Sequence, residues 1–311
     1  MDIEKKQYRI EKDSLGEVSV PRGAYYGVQT VRALENFPIS GIRPHPVFTR
    51  SMVFVKRAAA KVNSELGCLD EEKSKVIINA ADRIISGEFQ DQFVVDVYQA
   101  GAGTSYNMNV NEVIANIAIE SLGGEKGDYS VIHPNDHVNF GQSTNDVFPT
   151  TMRIAALSLL KELFPVVSEL ANALSEKAEE FDSVIKSGRT HLQDAAPIKF
   201  VQEFSGYASA VSKALEKTKN ASDALKELGI GGTAVGTGLN THSDYAKKII
   251  IELEEITGLD VRAASNYFEA MQSNAPITEV SGAVKVLATE MIRIANDLRL
   301  LSSGPKTGFA E

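Results

Sequence analysis

The sequence contains no tryptophan, a single cysteine and only ten prolines among its 311 residues. With Cys68 as its one thiol, the chain cannot close a disulfide within itself, which fits a reducing compartment. Positive charge is in deficit, since 32 lysines and arginines face 41 aspartates and glutamates and leave a formal net charge of −9. An acidic chain without a basic cluster argues against nucleic acids and anionic membranes as partners.

Long apolar runs are also missing from the sequence. No run approaches the ~18 apolar residues that a membrane span needs. The charged start at residues 1–6 has no apolar stretch behind it that would make a secretory signal. Hydrophobic residues are nevertheless 43% of the chain, which is enough for a sizeable core. We therefore expect a cytoplasmic globular protein.

Helical periodicity dominates the chain from about Thr49 onward, after a start that predicts irregular structure with short strands. Two apolar seams step by three and four residues, one from Leu160 to Ile185 and one from Ile277 to Leu301. Such seams are typical of long helices packed nearly parallel to their neighbours. Shorter helices are predicted over 202–228 and 244–257, the latter closed by Gly258.

The length of one predicted helix favours an oligomer. If Thr150–Ser187 is a single helix, it is about 57 Å long at 1.5 Å per residue, and a compact globule of this size is only about 50 Å across. Its remaining apolar faces would then be buried against other copies of the chain. We predict a mainly α fold, with a small mixed N-terminal domain over residues 1–140 and an elongated long-helix bundle over residues 141–311. A purely structural coiled-coil protein would give the same seams.

Four stretches concentrate small polar residues and glycines: 101–116, 133–146, 188–195 and 231–240. In the second, Ser143, Thr144 and Asn145 stand immediately before the longest predicted helix, and Pro149 suits its first turn. Side-chain donors and free backbone N–H groups at a helix N-terminus would together bind an anion, most simply a carboxylate. The alternative is an ordinary N-cap, since these are common capping residues.

The third stretch places Thr190 and His191 in a predicted loop between Gly188, a candidate helix C-cap, and Pro197, which suits the start of the next helix. A histidine that titrates near neutral pH suits proton transfer or donation to a carboxylate. The alternative is a surface histidine without function.

Two further patterns are weak as functional signals. His133 and His137 are four residues apart, but the residues between them predict a turn and no third ligand is evident, so we predict no metal. The glycines of 231–238 do not match a dinucleotide or phosphate fingerprint, and we interpret them as tight helix packing. The residues alone therefore predict a cofactor-free site for a small anion, built from loops at helix ends.

Taken together, these segments resemble the aspartase/fumarase superfamily of lyases. The resemblance covers nearly the whole chain, from Arg9–Gly16 and Ala24–Thr30 through the four polar stretches to Ala295–Pro305. Several such motifs in the right order make a chance match implausible. The resemblance implies the mainly α long-helix bundle.

Within the superfamily, the motifs divide between aspartate ammonia-lyases and class II fumarases. Gly101–Ser105 and Gln142–Asp146 look like the aspartase forms, whereas Gly188–His191 and Glu203–Tyr207 look like the fumarase forms. We favour aspartase. A class II fumarase and a catalytically silent binding or scaffold protein are the alternatives.

The resemblance implies reversible deamination of L-aspartate to fumarate and ammonia, by anti elimination through an aci-carboxylate dianion and without a cofactor or metal. The implied substrate-binding residues are hydroxyl, amide and imidazole donors: Thr104, Ser143, Thr144, Asn145, Thr190 and His191. The first three would hold the carboxylate that takes up the charge, Thr190 the second carboxylate, and Asn145 and His191 the amino group. Thr144 and His191 are thereby assigned catalytic roles. The resemblance also implies a homotetramer in which each active site is shared by three subunits.

The catalytic base implied by the resemblance is absent from this sequence. In the superfamily the base is a serine in a mobile Gly-Ser-Ser-x-Met-Pro-x-Lys-x-Asn-Pro loop, expected beyond Glu311 together with the last bundle helix and a C-terminal domain. Ser302 and Ser303 belong instead to the Ser-Ser-Gly-Pro motif that precedes this loop. We therefore expect the chain to be truncated and the 311-residue polypeptide to turn over aspartate negligibly.

Overall fold

The structure is a computed structural model that describes residues 7–309. It is mainly α-helical, as predicted, and its strands form three separate two-stranded pairings. The elements in chain order are β1 (Tyr8–Asp13), β2 (Gly16–Pro21), α1 (Val28–Asn36), α2 (Pro46–Glu65), α3 (Glu71–Ile85), α4 (Thr104–Ser121), α5 (Thr144–Glu180), β3 (Ile185–Thr190), β4 (Gln193–Lys199), α6 (Phe200–Ser222), β5 (Glu227–Leu228), α7 (Tyr245–Thr257), β6 (Arg262–Ala263), α8 (Tyr267–Gln272) and α9 (Ala275–Leu301).

The chain forms two compact units. Unit 1 runs to Ala156 and resumes over Lys226–Ser273, and unit 2 comprises Leu157–Leu225 and the chain from Asn274 onward. Helix α5 passes from one unit into the other, since its first 13 residues belong to unit 1 and the rest to unit 2. The domain boundary predicted at residues 140 and 141 stays a prediction.

Unit 1 is built around α4, whose side chains are buried almost without interruption from Tyr106 to Ile119. Helices α1, α2 and α3 all contact it. A helix that is covered on every side lacks a one-sided apolar pattern, which explains why no seam marks it in the sequence. Helix α3 begins where the acidic run predicts, because the side chain of Asp70 accepts hydrogen bonds from the N–H groups of Glu72 and Lys73.

Unit 2 holds the helical seams. Its core consists of apolar side chains from α5, α6 and α9, including Val167, Leu174, Val211, Leu287 and Ile294. On α9 the buried seam residues recur every seventh position. The alternate seam residues remain half-buried or exposed, and we call them the outer stripe: Ile277, Val284, Met291 and Leu298.

The structure corrects the bounds of the longest helix. Helix α5 begins at Thr144 instead of Thr150 and ends at Glu180 instead of Ser187, so Pro149 lies in its second turn. At 1.5 Å per residue it is still about 55 Å long. Helix α6 ends at Ser222 instead of Leu228, whereas α7 ends at Thr257, closed by Gly258 in a left-handed conformation, as predicted.

The region between α5 and α6 is a β-hairpin, not the predicted loop between two helix ends. Ile185 continues the apolar spacing of α5 but belongs to strand β3, where it is exposed. Gly188 lies in strand β3 and is not a helix C-cap. A Cβ there would lie 2.8 Å from the carbonyl oxygen of Ala196 on the partner strand, which explains the glycine at this position. Pro197 lies in β4 and does not open a helix.

Within residues 7–309, no helix combines the length and the apolarity that crossing a membrane requires.

Candidate functional site

The N-terminus of α5 carries three of the predicted site residues. Ser143 and Thr144 are half-buried and Asn145 is exposed. The next residue, Asp146, is buried and accepts hydrogen bonds from the backbone N–H of Ser143 at 2.9 Å, of Gly231 at 3.0 Å and of Thr233 at 2.9 Å. Burial raises the pKa of Asp146 to about 6, and these three backbone donors oppose the shift. Asp146 therefore ties the start of α5 to the glycine-rich loop.

The glycine-rich loop over residues 229–238 packs tightly, as the sequence interpretation proposes. A Cβ on Gly231 would lie 2.7 Å from the Cβ of Ala246 in α7, and one on Gly232 would lie 2.5 Å from the sulfur of Met271 in α8. The loop has a second role that the sequence interpretation missed. Besides its N–H bonds to Asp146, its carbonyl at Ala234 accepts a hydrogen bond from the Asn145 side-chain amide at 2.8 Å. The loop thus orients the amide of a predicted substrate-binding residue.

Thr104 lies at the first position of α4, and this helix N-terminus meets that of α5. Gly103, the preceding residue, has a φ of +84°, and a Cβ on it would lie 2.1 Å from the ring of Phe148. One turn into α4, the side-chain amide of Asn107 donates to the Thr144 hydroxyl oxygen at 3.2 Å. The structure therefore brings the first two polar stretches together, with the exposed Thr104 at their edge.

A cavity of about 620 Å³ lies within unit 1, and Ser143 is the predicted site residue that lines it. It is walled by the loop before α5 on one side and by the glycine-rich loop on the other, and its lining includes Asn139, Gln142, Ser143, Thr233, Val235 and Asn240. Two helix N-termini with hydroxyl and amide side chains form an environment suited to an anion.

Lys56 is a residue of this region that the sequence interpretation missed. It lies on α2, it is fully buried, and its ammonium group donates to Asn107 Oδ1 at 2.7 Å, Asn139 Oδ1 at 2.6 Å and Gln142 Oε1 at 3.1 Å. Burial lowers the pKa of Lys56 to about 7, and the charge of Asp146 opposes the shift. The only signal in the sequence that could have revealed it is the pair Lys56-Arg57, which interrupts the otherwise apolar stretch 52–60.

Thr190 and His191 belong to unit 2, whereas Thr104, Ser143, Thr144 and Asn145 belong to unit 1. Thr190 ends strand β3, and His191 and Leu192 form a two-residue hairpin turn with φ values of +50° and +60°. Positive φ at both central residues is the geometry of the tight turns that suit β-hairpins. Thr190 and His191 are exposed and line a cavity of about 680 Å³ together with Lys186, Arg189, Glu203 and Asp297.

His133 and His137 serve the local structure of unit 1. The ring of His133 accepts hydrogen bonds from the N–H groups of Asn135 and Asp136, which caps the short helix Pro134–Val138. The ring of His137 accepts from the N–H of His133 and lies 3.0 Å from the ammonium of Lys73. Over the described range 7–309, no group of three or more histidine, cysteine, aspartate or glutamate side chains is arranged to hold a metal ion.

Comparison with known proteins gives one consistent family. The profile of a lyase family matches residues 16–311. An aspartate ammonia-lyase of Bacillus sp is 51% identical over 303 residues, which cover 97% of this chain and 65% of that protein. A class II fumarate hydratase of Halobacterium salinarum is 52% identical over 307 residues, covering 98% of this chain and 65% of that protein.

A solved structure shows the same fold at substantial identity. The crystal structure of a fumarate lyase:delta crystallin from Brucella melitensis, bound to cobalt, matches with a TM-score of 0.93 and 46% identity, over 98% of this chain and 66% of that one. The chain thus spans about 65% of the length of the curated relatives described above.

Proposed function

Because the chain belongs to the lyase family that also contains its aspartate ammonia-lyase and class II fumarate hydratase relatives, we propose that it acts on L-aspartate and eliminates ammonia to give fumarate. The observation that carries this proposal is the meeting of two helix N-termini, which bear the hydroxyl residues Thr104, Ser143 and Thr144, with Ser143 lining a cavity. Hydroxyl donors suit a carboxylate that gains charge, since they stabilise it without titrating near neutral pH.

The proposed elimination passes through a dianion, which the site must stabilise. A base removes a proton from the carbon beside one carboxylate, and the electron pair moves into that carboxylate. The pair then returns to form the carbon–carbon double bond, while the C–N bond breaks and its electrons leave with ammonia. Each donor aimed at the developing charge is worth roughly 3–4 kcal/mol of transition-state stabilisation. Thr104, Ser143 and Thr144 are proposed to supply such donors at the ends of α4 and α5.

The remaining groups are proposed to bind the rest of the substrate. Thr190 would bind the second carboxylate, and Asn145 and His191 would contact the amino group. Thr190 and His191 are solvent-exposed at the tip of the β3–β4 hairpin, where they are accessible to a ligand. We further propose a homotetramer whose active sites combine residues of three subunits. The apolar outer stripe of unit 2, whose residues Met291 and Leu298 are exposed, supports this proposal. No base is assigned among residues 7–309.

The test compares ligands on the 311-residue polypeptide. Binding is the direct measurement, because the sequence contains no Gly-Ser-Ser-x-Met-Pro motif to supply the implied base. Isothermal titration calorimetry with L-aspartate, L-malate and succinate is expected to give tighter binding of L-aspartate than of L-malate. The reverse order would favour the fumarase alternative, and binding of none of the three would favour a scaffold. Absorbance at 240 nm with L-aspartate tests the negligible turnover, which stays a prediction.

A substitution at the site sharpens this test. Thr104→Val removes a hydroxyl donor to a charged carboxylate and is expected to weaken succinate binding roughly tenfold or more. Thr289→Val is the matched control, since Thr289 is an exposed threonine on α9. Equal affinities of the two variants would remove Thr104 from the proposed site.

A further inference from the structure

Lys56 carries a buried charge that no carboxylate among residues 7–309 neutralises by direct contact. All three of its hydrogen-bond partners are neutral amide oxygens, and the three N–H groups of an ammonium are thereby used. A fully buried lysine without an ion-pair partner is rare, because removing an ammonium from water is costly. The charged group that acts on Lys56 is Asp146 on α5, while α4 and the loop before α5 face it with amides.

The contact with Lys56 determines which way the side-chain amide of Asn107 points. Its Oδ1 accepts from the ammonium, so its Nδ2 must face the Thr144 hydroxyl oxygen at 3.2 Å and Asn139 Oδ1 at 3.3 Å. The opposite orientation would place the NH₂ group against the ammonium, with two donors facing each other. Lys56 therefore fixes Asn107 as a hydrogen-bond donor to Thr144.

This orientation determines what Thr144 offers to a ligand. A threonine hydroxyl has one O–H donor and oxygen lone pairs that accept. Because Asn107 donates into the hydroxyl oxygen of Thr144, the O–H is left to donate elsewhere. The half-buried hydroxyl at the start of α5 then presents a proton, as binding of a carboxylate requires.

Lys56 also holds the loop that leads to Ser143. Its two other acceptors, Asn139 and Gln142, lie in this loop, and their amide N–H groups bond to loop carbonyls: Asn139 donates to Gln142 O at 3.2 Å and Gln142 to Val138 O at 3.1 Å. One ammonium thus connects α2, α4 and the loop before α5, and two of these segments carry proposed substrate-binding residues.

We propose that Lys56 is a positioning residue of the dicarboxylate site, which acts through Asn107 to keep the Thr144 hydroxyl as a donor to the substrate carboxylate. This inference rests on the proposed function, since it concerns the same site. Lys56 itself does not touch the substrate.

The test measures succinate affinity by calorimetry in Lys56→Met, Asn107→Leu and the double variant. Each single variant is expected to bind succinate roughly tenfold more weakly, because one hydrogen bond to a charged group is lost. The double variant is expected to bind no more weakly than either single variant within about threefold, because both changes act through one hydroxyl. Lys75→Met is the matched control on the exposed face of α3, with affinity expected to stay within about twofold of wild type.

A pH profile separates positioning from a merely structural role. Succinate affinity of the wild type is expected to fall as pH rises from 6 to 8.5, as the Lys56 ammonium loses its proton. Lys56→Met is expected to lack this change, whereas Lys75→Met keeps it. Asp146 also titrates, and because the charge of Lys56 lowers its pKa, its titration lies at higher pH in Lys56→Met than in Lys75→Met. Repeating both profiles in an Asp146→Asn background removes this contribution.

The outcomes are distinct. If the wild type binds no succinate, the proposed function fails and this inference fails with it. If the wild type binds succinate but Lys56→Met or Asn107→Leu binds it as well as Lys75→Met, only this inference is overturned. The same holds if the losses of affinity in Lys56→Met and Asn107→Leu add fully in the double variant. If Lys56→Met does not fold, the inference is tested by the succinate affinity of Asn107→Leu and by the pH profile of the wild type. A wild-type affinity that does not change between pH 6 and 8.5 overturns the inference.

Discussion

At the scale of single residues, two buried carboxylates organise the backbone of unit 1. Asp146 accepts three backbone N–H bonds at the start of α5. Glu112 does the same for α1, because its carboxylate accepts from the N–H groups of Gly27, Gln29 and Thr30 and from the Thr30 hydroxyl. Each carboxylate thus satisfies donors that a helix end or a tight loop leaves without partners.

Replacing Asp146 tests how much this contact stabilises the fold. Asp146→Asn keeps one oxygen acceptor but turns an NH₂ group towards a backbone N–H, so that two donors face each other. We expect the free energy of unfolding in urea to fall by about 2–3 kcal/mol. Asp260→Asn, at an exposed aspartate paired with Lys226, should change it by less than about 1 kcal/mol. Equal effects of the two substitutions would contradict the role given to Asp146.

The pH dependence of stability tests the environment of Glu112. Burial raises the pKa of Glu112 from 4.5 to about 7, although Thr30 and the backbone N–H groups of Gln29 and Gly27 oppose the shift. A carboxyl whose pKa is higher in the folded state binds its proton more tightly there. Its contribution to stability is therefore full below pH 4.5 and is lost as pH rises to about 7.

Comparison with Glu112→Gln isolates this contribution. The difference in unfolding free energy between wild type and Glu112→Gln is expected to decrease between pH 4.5 and 7, measured from urea curves at several pH values. Glu125→Gln, at an exposed glutamate, provides the control and should give a flat difference. A flat difference for Glu112→Gln as well would show that the Glu112 carboxyl has the same pKa in the folded and unfolded chains.

At the scale of elements, the start of α4 depends on a glycine. Gly103 has a φ of +84° and no room for a Cβ beside Phe148. Gly103→Ala is expected to lower the free energy of unfolding by more than about 1 kcal/mol, since an alanine disfavours this backbone region and the ring must move. The same shift displaces Thr104, so succinate affinity should fall as well.

A glycine two residues earlier is the matched control for this prediction. A Cβ on Gly101 would meet nothing within 4 Å. Gly101→Ala is therefore expected to leave both the urea midpoint and succinate affinity near their wild-type values. If Gly103→Ala behaved in the same way, the contact between the starts of α4 and α5 would not matter for either property.

Helices with one apolar face were predictable from the sequence, and elements defined by distant partners were not. The seam positions Val167, Leu174, Leu287 and Ile294 are buried because a helix buried on one side repeats its apolar residues every three to four positions. Strand β3 was missed because Ile185 continued that spacing by chance. Its pairing with β4 depends on close approach at Gly188, which no local pattern reveals.

In the candidate site, the residues at a helix start were predictable from the sequence, and those held by distant partners were not. Ser143, Thr144 and Asn145 stand at a helix start because their side chains suit such positions, and this preference is local. Lys56 was missed because its burial depends on oxygens from Asn107 and the loop before α5, which are distant in sequence. A lysine in an apolar run does not indicate by itself which acceptors surround it.

At the scale of the whole molecule, the outer stripe bears on the proposed oligomer. Met291 and Leu298 on α9 are 43% and 36% exposed, although their spacing is that of a packed seam. Met291→Glu with Leu298→Glu is expected to convert the proposed tetramer to smaller species, measured by size-exclusion chromatography with light scattering, because charges would replace apolar contacts between copies. Leu15→Glu, at a 76% exposed leucine in the β1–β2 turn, should leave the mass unchanged. A monomeric wild type would contradict the proposed assembly.

The glycine-rich loop has a consequence for how the cavity beside it can change in evolution. Main-chain groups at Gly231, Thr233 and Ala234 make its bonds to the start of α5, while Thr233, Ala234 and Val235 line the cavity. Mutation can therefore reshape this wall of the cavity without removing the hydrogen bonds that hold it in place.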